Sequence, residues 1–128
     1  MIDENILLEI IENQNLEFPI SLPIIISEPN QLHLRVAATV NQNMLCACGL
    51  ELDNSSELHH ALISKKDVVG HPTPDFIHHS YNVLMLHHSC HMNINRLKSY
   101  NFLCEIYGKN QIKNWYDSIE FKSRFRRI

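Results

Sequence analysis

Three of the four cysteines and eight of the nine histidines in this 128-residue chain lie between Cys46 and His91. Cys46-Ala47-Cys48-Gly49 opens the stretch, and Glu57-Leu58-His59-His60 follows shortly after. Asn82 leads into the apolar run Val83 to Leu86, which ends on His87-His88-Ser89-Cys90-His91. Thiols and imidazoles at such short spacings point to metal chemistry before any other. Cys46 and Cys48 are too close to pair comfortably as a disulfide, and ligand histidines flank the others. A reducing compartment with a bound metal therefore fits better than two disulfides.

Several elements must position these residues. Leu45 to Leu52 reads as a cysteine-bearing turn, Leu58 to Ile63 as a short strand and Val83 to Leu86 as a second strand. Residues 64–81, with Gly70, Pro72 and Pro74, form the connecting loop, which also carries His71, His78 and His79. Each of these three histidines is either a phosphate or ligand contact or an exposed loop side chain. Ser89 is a candidate N-cap, so Cys90 and His91 would stand in the first turn of one helix running to about Tyr107, with Gly108 as its stop. Cys104 on that helix reads as core.

Upstream, Ile6, Leu7, Ile10 and Ile11 have helical spacing within residues 3–13, and Asp3 and Glu4 suit the positive end of the helix dipole. Pro19, Pro23 and Pro29 forbid a long helix over 16–30, and Leu32 to Val40 reads as a second helix. Gln111 to Phe121 is a last helix, packing through Ile112, Trp115, Tyr116 and Ile119; base stacking by the two aromatics is the alternative.

The net charge of −3 is unevenly distributed. Residues 1–30 hold six acids and no Lys or Arg; residues 91–128 hold eight basic and three acidic groups, a balance of +5. An acidic leading segment and a basic trailing face suit phosphate contact at one end and docking to a larger protein assembly at the other. The alternative for each is a solvated surface. No apolar run is long enough to span a membrane, and residues 1–15 lack a basic n-region and a small-residue cleavage site. A cytoplasmic protein of one compact domain is expected, with an acidic segment at 1–44, a core at 45–107 and a basic helix and tail at 108–128.

Strand, loop, strand and helix, with His59-His60 ending the first strand, Asn82 before the second and His91 on the helix, resemble the HNH nucleases. The resemblance covers residues 46–96 and implies an α+β fold built on the family's ββα-metal finger with flanking helices. It implies His60 as general base and His59 and His91 as ligands of a catalytic divalent metal (Mg, Mn, Ni or Zn). Asn82 would bond loop backbone to hold the base, metal binding being its lesser role. HNH proteins often frame the finger with two Cys-x2-Cys pairs on zinc. This chain departs from that pattern at both pairs, with Cys46-x-Cys48 and with His87 in place of the third cysteine. Cys46, Cys48, His87 and Cys90 still make an acceptable Cys3His zinc set, with adjacent His88 as the alternative fourth ligand.

DNA would be met by Lys65, Lys66, Arg96, Lys122, Arg124, Arg126 and Arg127. The activity implied is hydrolysis of DNA phosphodiester bonds, leaving 5′-phosphate and 3′-hydroxyl ends. The rival reading is a zinc-stabilised DNA-binding or partner-binding module that does not cut.

Overall fold

A computed structural model describes residues 2–119. The architecture is α+β: helices α1 (Glu4–Asn13) and α2 (Gln31–Asn41), strands β1 (Glu57–His60) and β2 (Val83–Leu86), then helices α3 (His88–Asn93), α4 (Arg96–Tyr107) and α5 (Lys109–Ser118). The two strands form an antiparallel pair in which Glu57 faces Leu86 and His60 faces Val83. Among the described residues, no helix is long and apolar enough to cross a membrane.

Helix α1 starts where Asp3 Oδ1 accepts from the backbone N–H groups of Asn5 and Ile6, satisfying two donors that the first turn leaves without partners. Asn30 caps α2 in the same way, through His33 N–H. Between the helices, the proline-spaced segment has neither helix nor strand and buries Ile24 and Ile26. Side chains replace the missing ladder. Asn41 bonds both the N–H and the C=O of Ile24, and Ser80 exchanges hydrogen bonds with Ile26.

Strand β2 is buried at every position, as its unbroken apolar run requires. Its edge away from β1 is closed by a side chain. The Gln42 amide accepts from Met85 N–H (2.7 Å) and donates to Met85 C=O (2.8 Å). One residue thus substitutes for a third strand and ties the end of α2 to the sheet.

Two elements around the site differ from the sequence expectation, and the last helix runs Lys109–Ser118 rather than from Gln111, Phe121 lying outside the described residues. The first strand ends at His60 rather than Ile63, because the next three N–H groups turn to Asn82: Ala61 to its backbone carbonyl, Leu62 and Ile63 to its Oδ1. The helix expected from Ser89 to Tyr107 is two helices. Position 87, not Ser89, precedes its first turn, and Ile94 adopts an extended conformation where the helix breaks. Asn95 then caps α4 by accepting from Lys98 N–H (2.8 Å). An Asn side chain that can satisfy a new first turn competes with continuing the old one. Gly108, at φ +93°, separates α4 from α5 in a conformation that L side chains rarely adopt. Cys104, Trp115, Tyr116 and Ile119 pack against the buried core, and Ile112 lies within it.

Candidate functional site

Two clusters flank the β1–β2 pair. In the first, one ligand atom from each of Cys46, Cys48, His87 and Cys90 lies within 4.8 Å of the others. The cysteine turn brings the first pair together: Cys46 N–H bonds Leu50 C=O, Gly49 N–H bonds Cys46 C=O, and Gly49 takes φ +87°. The end of β2 and the first turn of α3 bring the other two. His87 Nε2 donates to Glu51 C=O (2.7 Å), which leaves the Nδ1 lone pair facing Cys48 Sγ at 3.4 Å. An imidazole anchored through one nitrogen and presenting the other is the usual posture of a metal ligand.

Thiolate formation is prepared unevenly. Leu50 N–H above all, with help from His87, draws the Cys48 thiol down to about 7, whereas burial and the neighbouring thiols push Cys90 up to about 11. A divalent cation reverses that crowding by favouring the deprotonated form of each thiol. The donor set fits a metal ion such as zinc. It also decides between the adjacent histidines: His87 joins the cluster and His88 turns away to Glu57.

The second cluster lies around the end of β1. Alternation along the strand puts Glu57 and His59 toward α3 and α4. The His59 ring stands edge-on to His91, centroids 4.8 Å apart, and its Nε2 is 3.3 Å from Ser99 Oγ. His60 turns to the loop, where its Nε2 meets His78 Nδ1 at 3.1 Å. Burial, with His91 adding for one ring and His78 for the other, lowers His59 and His60 each to about 4. Both imidazoles are therefore neutral at pH 7, with lone pairs available to a metal or a proton.

Asn82, fully buried, supports this end of β1 with its whole amide. Oδ1 accepts from Leu62 and Ile63 N–H (3.0 and 2.9 Å), and Nδ2 donates to Ile63 and Ile77 C=O (2.9 and 2.8 Å). The chain leaving His60 and the loop returning from His78 are thus held by one side chain.

Among the basic residues, Lys65 and Lys66 are exposed just beyond the strand, and Lys65 is close enough to lower both His60 and His78. Arg96 pairs with Asp67 at 3.1 Å, and Asp67 also accepts from Ser64 N–H, so this arginine braces the loop against α4. Lys122, Arg124, Arg126 and Arg127 lie outside the described residues. Of the loop histidines, His71 Nδ1 accepts from Thr73 N–H, and His79 Nδ1 accepts from Tyr81 N–H while its ring lies against Trp115. Only His78 reaches the β1 cluster.

Sequence reading passed over Glu57. It stands two residues before His59, the spacing that puts two side chains on one strand face, and this was the available signal. Its Oε1 bonds His88 Nδ1 and its Oε2 lies 3.5 Å from His91 Nδ1. His88 foremost, and His91 after it, hold the Glu57 carboxyl below the usual carboxylate range.

Comparison of the chain with protein-family models, curated proteins and solved structures finds no match.

Proposed function

We propose that this chain is a metal-dependent DNA endonuclease of the HNH kind, its β1–β2 pair and α3 acting as a ββα-metal finger and the cysteine cluster as a structural zinc site. One observation carries the reading: a neutral His60 at the end of β1, backed by the four hydrogen bonds of buried Asn82, next to a His59–His91 pair that joins β1 to α3. That combination offers a base, a rigid support for it and two imidazole ligands within one short segment.

In this account His60 takes the proton of the attacking water, a role that requires the neutral imidazole. Asn82 keeps residues 61–63 in place, so that His60 does not move with the loop. His59 and His91 would hold the catalytic divalent ion, which supplies charge neutralisation at the phosphate and the departing 3′ oxygen. Lys65 and Lys66 lie where the phosphate backbone would approach, contacts that position DNA without reading its sequence. The basic residues from Lys122 to Arg127 would extend that contact, and the acidic residues 1–30 would dock a larger assembly.

A second reading, a zinc-stabilised DNA-binding or partner-binding module without catalysis, draws on a different observation. Among the described residues, the cysteine cluster alone gathers three or more metal-ligating side chains closely enough for a tight site. Incubating an end-labelled duplex oligonucleotide with the protein and Mg²⁺, Mn²⁺ or Ni²⁺ separates the two. The nuclease reading expects fragments with 5′-phosphate and 3′-hydroxyl ends; intact DNA that is bound but never cut would favour the module.

A further inference from the structure

His78 enters the β1 cluster from the loop, 18 residues after His60, and its Nδ1 faces His60 Nε2 at 3.1 Å, the rings 71° apart. Two neutral imidazoles can share this contact in two ways. If both carry their proton on Nε2, His60 donates and His78 Nδ1 accepts. If both carry it on Nδ1, His78 donates and His60 Nε2 accepts. The first arrangement uses the tautomer that free neutral histidine prefers, for both rings at once. It also leaves the His60 Nδ1 lone pair outside the contact, whereas the second occupies the lone pair of His60 and puts a proton on its remaining nitrogen. Only the first leaves His60 a base.

We infer that His78 is a positioning residue for His60, accepting a hydrogen bond from its Nε2–H and so directing the Nδ1 lone pair toward the proton to be removed. The inference rests on the nuclease reading, in which His60 is the base. His78 is itself held in place. Its own N–H bonds Asp75 C=O at the end of the short turn Pro74–Ile77, and the preceding carbonyl, that of Ile77, accepts from Asn82 Nδ2. The same amide therefore supports the base from the β1 side and its partner from the loop side. When His60 takes a proton at Nδ1, the charge spreads to the Nε2–H that His78 accepts, so the contact strengthens as the proton moves.

The test joins a direct readout to a kinetic one. Ring ¹⁵N NMR of the full chain with zinc bound should show His60 as the Nε2–H tautomer at pH 7 and a mixture of tautomers in His78→Leu. In steady-state cleavage of a short duplex, His78→Leu should lower kcat about 100-fold, the scale of a positioned base, with KM unchanged. His78→Asn, which puts an amide oxygen near the place of Nδ1, should recover kcat to within about tenfold of wild type. A His60 found as the Nδ1–H tautomer in the wild type overturns the inference; metal-dependent cleavage by that same protein would keep a nuclease while taking the role of base from His60. Two bare nitrogens whose signals shift together on adding Zn²⁺ would also overturn it, since the pair would then be a metal site. Absence of cleavage by the wild type, with His60 in the expected tautomer, sinks the nuclease reading and with it any catalytic role for His78.

Discussion

The Glu57 carboxylate lies 3.5 Å from Nδ1 of His91, a buried nitrogen with no hydrogen-bond partner among the described residues. Its other oxygen bonds His88, which follows the cluster ligand His87 and opens the short helix that carries Cys90. Helix α3 therefore carries groups of both clusters, and Glu57 is the link from that helix back to β1.

That link predicts the behaviour of Glu57→Gln. Carboxylates that orient metal-bound imidazoles typically contribute 10–100-fold to metal affinity or activity. Titrating Mn²⁺ into the cleavage assay should show its half-saturating concentration raised by about that factor, with zinc content unaltered. An unchanged Mn²⁺ dependence would remove Glu57 from the account.

The cysteine cluster predicts a stability effect independent of catalysis. Cys48→Ser should lower bound zinc measured by atomic emission, and lower the melting temperature by roughly 10 °C, the shift that a loss on the order of 3 kcal/mol produces in a domain of this size. His88→Ala should leave zinc content alone, because His88 lies outside the ligand set. Zinc lost equally in both variants would show that the cluster has been drawn with the wrong histidine.

Asn82→Ala should destabilise the fold whatever the function. It leaves two N–H groups and two carbonyls, all facing a fully buried side chain, without their partner. Unmet buried groups cost about 1–3 kcal/mol each, partly relieved by relaxation, so a loss on the order of 3 kcal/mol is expected in urea denaturation. A loss near zero would mean that water replaces the amide.

Acid should weaken the fold through the same histidines. Burial lowers His59, His60 and His79 from 6.5 to about 4, and His78 in the same direction. Between those values the unfolded chain binds more protons than the folded one, so stability rises with pH across this window and levels off above about 6.5. Melting temperatures should therefore fall steadily from pH 6.5 toward pH 4, and ring NMR at pH 5.5 should show His59, His60 and His79 neutral. A flat stability profile across that range would contradict their burial.

Much of the site was legible in the sequence because its signals are local. The ligand spacings around Cys46 and His87, the apolar run of β2 and the adjacency of His59 and His60 each occupy a few residues. What escaped was decided at a distance. The Asp67–Arg96 pair and the His60–His78 contact join groups that no spacing rule connects. The choice of His87 over His88 follows from partners distant in sequence: Glu51 C=O holds His87, and Glu57, opposite Leu86, takes His88. The break in the expected long helix went unread because Asn95, a capping side chain within the run from Ser89 to Tyr107, was not weighed against continuing the helix. Asn95 starts α4 by accepting from Lys98 N–H, while His87 precedes α3 with no side-chain bond.

The most direct test of the central claim is nicking of supercoiled plasmid by the purified chain with Mg²⁺, Mn²⁺, Ni²⁺ or chelator, beside His60→Ala. His60 belongs to no zinc ligand set, so the variant should keep its zinc and its fold while losing at least about 100-fold in rate. Metal-dependent nicking that disappears in the variant is the predicted result. Equal nicking by both proteins, or none by the wild type with any metal, would contradict the assignment of His60 as the base of a nuclease.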